Sequence, residues 1–157
     1  MKKLFYLSFL LPIVLLASCS NDNDLADVDI NLTLDGVTVS NQNFYTVEGN
    51  DVTIDNLSVT SLTDKPATIV NVRYFLNGMP IPLINEEDMI TAGFSTTGLE
   101  TGTYTFEIAS TVLQVDKSIT SVTAGYPIHI VAEDSDLPAD AGEIGTYTLT
   151  VSTHQNK

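Results

Sequence analysis

The chain has 157 residues, 20 acidic side chains against six basic ones, and a formal net charge of −14 at pH 7. Such a charge repels phosphate backbones and anionic lipid head groups, which sets nucleic acid aside as a partner. A single cysteine and two histidines rule out a disulfide within the chain and a Cys/His zinc site.

Lys2 and Lys3 open the chain, and an apolar run of 14 residues, 4–17, follows, interrupted only by Ser8 and Pro12. A positive start, an apolar stretch and the small residues Ala17 and Ser18 make up a secretory signal. As a helix the run would span about 21 Å, short of the roughly 30 Å hydrocarbon core, and Pro12 weakens it further. An uncleaved membrane span is therefore the poorer reading. Leu16-Ala17-Ser18-Cys19 resembles the lipobox of bacterial lipoproteins. The resemblance implies removal of residues 1–18 and acylation of Cys19 on its sulfur and its new amino group. Each buried CH₂ contributes about 0.8 kcal/mol, and two or more chains hold firmly where one binds marginally. The competing reading is an ordinary secretory signal with an incidental cysteine.

Cleavage there leaves about 139 residues, one domain that can bury roughly two thirds of its unfolded surface. Lys65, Arg73, Lys117 and Lys157 are then the only bases, and the charge is about −16. The charge reads first as a solubility device and second as a cation-binding surface. With Cys19 acylated, the domain must stand on its core alone, although its compartment tolerates disulfides. Residues 20–27, Ser-Asn-Asp-Asn-Asp-Leu-Ala-Asp, are too polar to bury and read as a tether. Its eight residues reach at most about 26–29 Å. Ser20 is not the aspartate that resembles an inner-membrane retention signal. The acidic cluster behind the cysteine resembles the surface-export signal of Bacteroidetes lipoproteins, with a plain solvated linker as the alternative. The expected location is the outer membrane, lipid-anchored and exposed at the cell surface, with a periplasm-facing anchor as the alternative. Residues 19–27 are thus the anchor and tether, 28–153 the folded domain and 154–157 a tail.

Beyond the tether the dominant period is two. Val28, Ile30, Leu32 and Leu34 alternate with polar residues, the mark of a half-buried strand. Asp35-Gly36 predicts a hairpin, and the apolar parity changes across it to Val37 and Val39, as a two-residue loop or a kinked edge strand allows. Within residues 52–62, Val52 and Ile54 hold one parity while Leu57 and Val59 hold the other. That predicts a bulge or break at Asp55-Asn56. Residues 68–76 read as the central strand, with Val70, Val72, Tyr74 and Leu76 on one face. Asn77-Gly78 predicts a type I′ turn into Met79-Pro80-Ile81-Pro82, an edge by its two prolines. Residues 85–90 are the one helix-like piece, and their three carboxylates read as a solvated helix start. Two strands open on one tetrapeptide, Gly102-Thr103-Tyr104-Thr105 and Gly145-Thr146-Tyr147-Thr148. Another strand runs through Tyr126, Ile128, Ile130 and Ala132. About seven to nine short strands between frequent turns predict an all-β antiparallel sandwich.

Leu99-Glu100-Thr101-Gly102-Thr103-Tyr104 resembles the tyrosine corner of immunoglobulin-like domains. There Leu99 and Gly102 would turn the chain between sheets, and the Tyr104 hydroxyl would bond back to the backbone. Residues 72–78 resemble the third strand of bacterial Ig-like modules. The resemblance implies an immunoglobulin-like β-sandwich, not of the antibody type, because the chain has no tryptophan and no cysteine pair. The second Gly-Thr-Tyr-Thr leaves open which copy is the corner.

Catalytic motifs are not found. His129 lies between Ile128 and Ile130 and should point away from their face, and His154 lies in the tail. There is no Gly-rich phosphate loop and no nucleophile-elbow serine, so an enzyme is not expected. The best candidate site is the loop 133–143, with Glu133, Asp134, Asp136, Asp140 and Glu143. Ca²⁺ takes six to eight oxygens, which such a loop could supply. Pro138 breaks the EF-hand pattern, however, and a solvated loop is the alternative. No other cofactor is expected. Tyr74, Tyr104, Tyr126 and Tyr147 fall on apolar faces and read as core, not as sugar-stacking platforms. The expected function is a surface-anchored, non-catalytic binding, adhesion or accessory module for a glycan or protein ligand. The alternative is a structural subunit of an outer-membrane assembly, such as a glycan-uptake or pilus-like complex.

Overall fold

The computed structural model describes residues 27–84, 91–115 and 119–153. The signal segment, Cys19, most of the tether, the helix-like piece 85–90 and the tail with His154 lie outside the described residues.

Among the described residues the fold is all-β. Its strands are β1 Val28–Ser40, β2 Asn43–Val47, β3 Asp51–Ser61, β4 Ala67–Leu76, β5 Met79–Pro80, β6 Ala92–Ser95, β7 Gly102–Gln114, β8 Ile119–Val131 and β9 Gly145–Ser152. One layer has the order β9-β1-β3-β6, and the other β2-β8-β7-β4-β5. The end of β1 pairs with β2, so one mixed sheet curls through β1 into a sandwich-like pair of layers. The expected all-antiparallel pattern is corrected at one ladder: β2 runs parallel to β8, from Phe44 opposite Ile128 to Val47 opposite Val131.

The core follows from the period-two pattern. Val28, Ile30, Leu32 and Leu34 are all at most 1% exposed, and Val52, Ile54, Tyr74, Phe106, Ile108 and Ile128 meet them from both layers. Tyr74 stacks on Phe106 with ring centroids 6.3 Å apart. Full burial of each such side chain contributes about 1.5–3 kcal/mol, which is how a chain with no disulfide holds two layers together.

Asp35-Gly36 does not close a hairpin. β1 passes through it as a kinked strand, with Gly36 at φ 84° and a register shift against β9 between Leu34 and Val37. The kink moves the buried parity from Leu34 to Val37 and passes the chain from one layer to the other. The hairpin comes later, at Asn41-Gln42, where both residues take positive φ, 46° and 66°. The sequence hides it, because Asn-Gln lacks the glycine that usually marks such a turn.

The break in β3 lies where the parity change puts it. Asn56 takes φ 55°, and the ladder to β1 shifts between Asn31 and Thr33. Asn77-Gly78 has the two positive φ values, 49° and 77°, of a type I′ turn. β4 is less central than its sequence suggests. Its second neighbour, β5, pairs only with Phe75 and Leu76. A bulge between Ile69 and Asn71 turns Val70 outward, to 51% exposure.

A Cβ at Gly36 would collide with the carbonyl oxygen of Asp51, and the positive φ penalises any side chain there. Gly36→Ala is therefore expected to lower unfolding stability by about 3 kcal/mol. Urea denaturation measures it, and a midpoint equal to wild type would remove the corner from this role.

Candidate functional site

The acidic loop after β8 is held down by its own side chains. It begins with a single 3₁₀ turn, Asp134–Asp136, in which the Asp136 N–H donates to the Glu133 carbonyl at 2.9 Å. Glu133, Asp134 and Asp136 are exposed. Asp140 faces the end of β1 instead: Ser40 Oγ donates to its Oδ1 at 2.7 Å and Asn41 Nδ2 to its Oδ2 at 3.3 Å. Thr38 Oγ1 donates to the Gly142 carbonyl at 2.8 Å. The five carboxylates of this loop are thus not brought together into one group. Among the described residues no group of three or more His, Cys, Asp or Glu side chains is placed to hold a metal ion. Asp140 works as a strut between the loop and β1.

Both Gly-Thr-Tyr-Thr segments make the same bond. The Tyr104 hydroxyl donates to the Glu100 carbonyl and the Tyr147 hydroxyl to the Glu143 carbonyl, each at 2.9 Å. Each reaches back four residues, to the backbone that leads into its own strand. Leu99 packs against the core, and Gly102 takes φ 152°, a value that favours glycine. The two copies share the hydroxyl bond, while only the first has a glycine at positive φ.

On the outer face of the β2-β8-β7 layer, Tyr45, His129 and Thr103 lie side by side across three strands. The Tyr45 and His129 rings stack with centroids 4.6 Å apart and planes 20° apart. Thr103 Oγ1 lies 2.9 Å from His129 Nδ1. Period two places His129 off the Ile128 face, but its stacking partner comes from a strand about 80 residues away in sequence and is set by the parallel β2–β8 register. Burial lowers the His129 pKa from its ordinary value. Tyr126, on the same strand, is pushed up to about 12 by burial, in keeping with a packing role.

Beside β4 and β5 lies an open groove of about 370 Å³, lined by Asn71, Arg73, Phe75, Pro80, Ile81 and Leu83 among others. Among the described residues its walls offer one guanidinium, one amide and an aromatic edge. Such a surface can hold a ligand by apolar contact and a few hydrogen bonds. The sequence signals Arg73 only as a polar residue in an alternating strand. The groove itself arises because the two-residue β5 leaves the flank of β4 uncovered.

What fold and site together define is an all-β, two-layered domain with a pinned acidic loop and a shallow groove at one sheet edge. In comparisons with known proteins, no family model, curated protein or solved structure matches the chain.

Thermal unfolding in millimolar Ca²⁺ and in chelator is expected to give the same midpoint to within about 1 °C, since an ion that binds only the folded state would raise it. Tyr126 supplies a pH test. Its hydroxyl ionises near 10.0 unfolded and at about 12 folded. The stability it contributes is complete below pH 10 and is lost as pH rises toward 12, because the unfolded chain gives up its proton first. Tyr126→Phe should flatten that alkaline loss in denaturation midpoints measured from pH 9 to about 12; an unchanged slope contradicts the assignment.

Proposed function

We propose that the chain is a lipoprotein held at the outer membrane by acyl chains on Cys19, and that its domain is a non-catalytic binding, adhesion or accessory module exposed at the cell surface. The observation that carries this is Leu16-Ala17-Ser18-Cys19 closing an apolar leader, with the first core residue, Val28, nine positions on. The acidic spacing between them suits a surface-exported anchor of the Bacteroidetes kind. An immunoglobulin-like assignment is supported by the strand neighbours. β1, β3 and β6 share one layer and β4, β7 and β8 the other, the partition of first, second and fifth strands against third, sixth and seventh in Ig-like sandwiches. The hydroxyl bond of Tyr104 at the start of β7 supports it too. The groove with Arg73, Asn71 and Phe75 is the face we assign to a glycan or protein ligand.

A second reading, a subunit of an outer-membrane assembly, is favoured by the outer edge of β4. Residues 67–73 pair with no strand on that side among the described residues. An exposed edge is a template for strand addition by a neighbour.

Cys19→Ala should abolish metabolic labelling with palmitate and release a folded domain from the membrane fraction. Retained labelling would falsify the anchor. Crosslinked pull-down from intact cells then separates the readings: a stoichiometric outer-membrane complex supports the subunit, and a glycan or foreign protein ligand supports the binding module.

A further inference from the structure

The end of the domain at which the chain enters carries three exposed apolar side chains, beside the exposed Asp64 and Lys65. The Leu62 N–H donates to the Asp27 carbonyl at 2.8 Å, and the Thr153 N–H to the Val28 carbonyl at 2.9 Å. The loop 62–66 leads from there into β4, and the Val115 N–H donates to the Pro66 carbonyl at 3.3 Å. Ile119, opposite Leu113, opens β8 at the same end. Four residue steps separate Leu62 from Pro66 and span at most about 15 Å, so these groups surround the entry point. Leu62 is 47% exposed, Val115 70% and Ile119 65%. One exposed apolar side chain is ordinary, but three gathered at one end ask for a cover.

The tether identifies the cover. Eight residues of chain reach at most about 26–29 Å. The 13 residues of β8 extend about 43 Å at 3.3 Å each. The acidic loop with Glu133, Asp134 and Asp136 follows the far end of β8. A tether shorter than the domain keeps the entry end nearest the anchor and the acidic end away from it. The charge agrees: a domain this acidic presents to head groups the surface that carries apolar side chains, and turns its carboxylate-rich loop to water.

We propose that Leu62, Val115 and Ile119 rest in the interfacial layer of the bilayer that holds the acyl chains, a lipid-facing end that sets the domain upright. The proposal rests on the Cys19 anchor. Three partly exposed side chains bind a free bilayer weakly. Tethering turns that contact into an intramolecular one at high effective concentration, so a weak contact is occupied. The groove beside β4 then opens sideways and the acidic loop faces outward.

The chain has no tryptophan, so single-tryptophan probes are clean. Full-length acylated Ile119→Trp is reconstituted into phosphatidylcholine vesicles with plain or brominated acyl chains. Val115→Trp serves as a second probe of the same end, and Met79→Trp, at the opposite end of the β4 hairpin and 59% exposed, as the control. Flotation with vesicles reports the anchor; quenching reports the contact. The expected result is flotation of all three, about twofold lower emission in brominated vesicles for Ile119→Trp and Val115→Trp, and no change for Met79→Trp. Flotation without quenching at Ile119 and Val115, or with equal quenching at Met79, overturns the orientation and leaves the anchor standing. Loss of flotation overturns the anchor, and the orientation with it.

Discussion

β1 is the strand on which the rest of the structure depends. It lies between β3 and β9 in one layer, bends at Gly36, and pairs with β2 in the other. The bend has to satisfy two demands at once. The backbone must approach the Asp51 carbonyl more closely than any Cβ allows, and the buried parity must shift so that Leu34 and Val37 both reach the core. Only glycine meets the first demand, and a one-residue offset meets the second. Because β2 departs from β1 only after this bend, the parallel pairing with β8 depends on it as well.

Around this strand, hydroxyls take over work that larger domains leave to packing. Thr46 Oγ1 donates to the Gly36 carbonyl at 2.8 Å, at the bend itself. Thr96 Oγ1 lies 2.9 Å from the carbonyls of both Val47 and Asn50, tying the β2–β3 loop to the end of β6. Both threonines are fully buried, and each hydroxyl finds its partner on backbone oxygens. Asp140 accepts from Ser40 Oγ and Asn41 Nδ2 and so ties the acidic loop to the end of β1. These loops are thereby fastened to the sheet by short polar bonds.

The two ends of the domain differ in chemistry. One gathers Leu62, Val115 and Ile119 around the point where the chain enters, and the other carries the carboxylates that follow β8. The Tyr45–His129–Thr103 row lies on the outer face near the acidic end, and the groove beside β4 lies on the flank of the same layer.

The sequence by itself determined the local features whose cause is local. The buried alternation of β1, the break at Asn56, the type I′ turn at Asn77-Gly78 and the edge character of Pro80 each follow from side-chain period, left-handed backbone preference or a missing N–H. The resemblance of Leu16-Ala17-Ser18-Cys19 to a lipobox is likewise legible in four residues. Only the tertiary structure decided what depends on strands far apart in the chain. Asp35-Gly36 is a bend and not a hairpin because β9, more than 100 residues on, pairs across it. Val70 is exposed because a bulge against β7 turns it outward. Asp140 serves as a strut because the β1 end brings Ser40 Oγ to 2.7 Å from its carboxylate. A turn or a carboxylate has the same local propensity in either role, and the choice between roles is made by the partner that long-range pairing brings alongside.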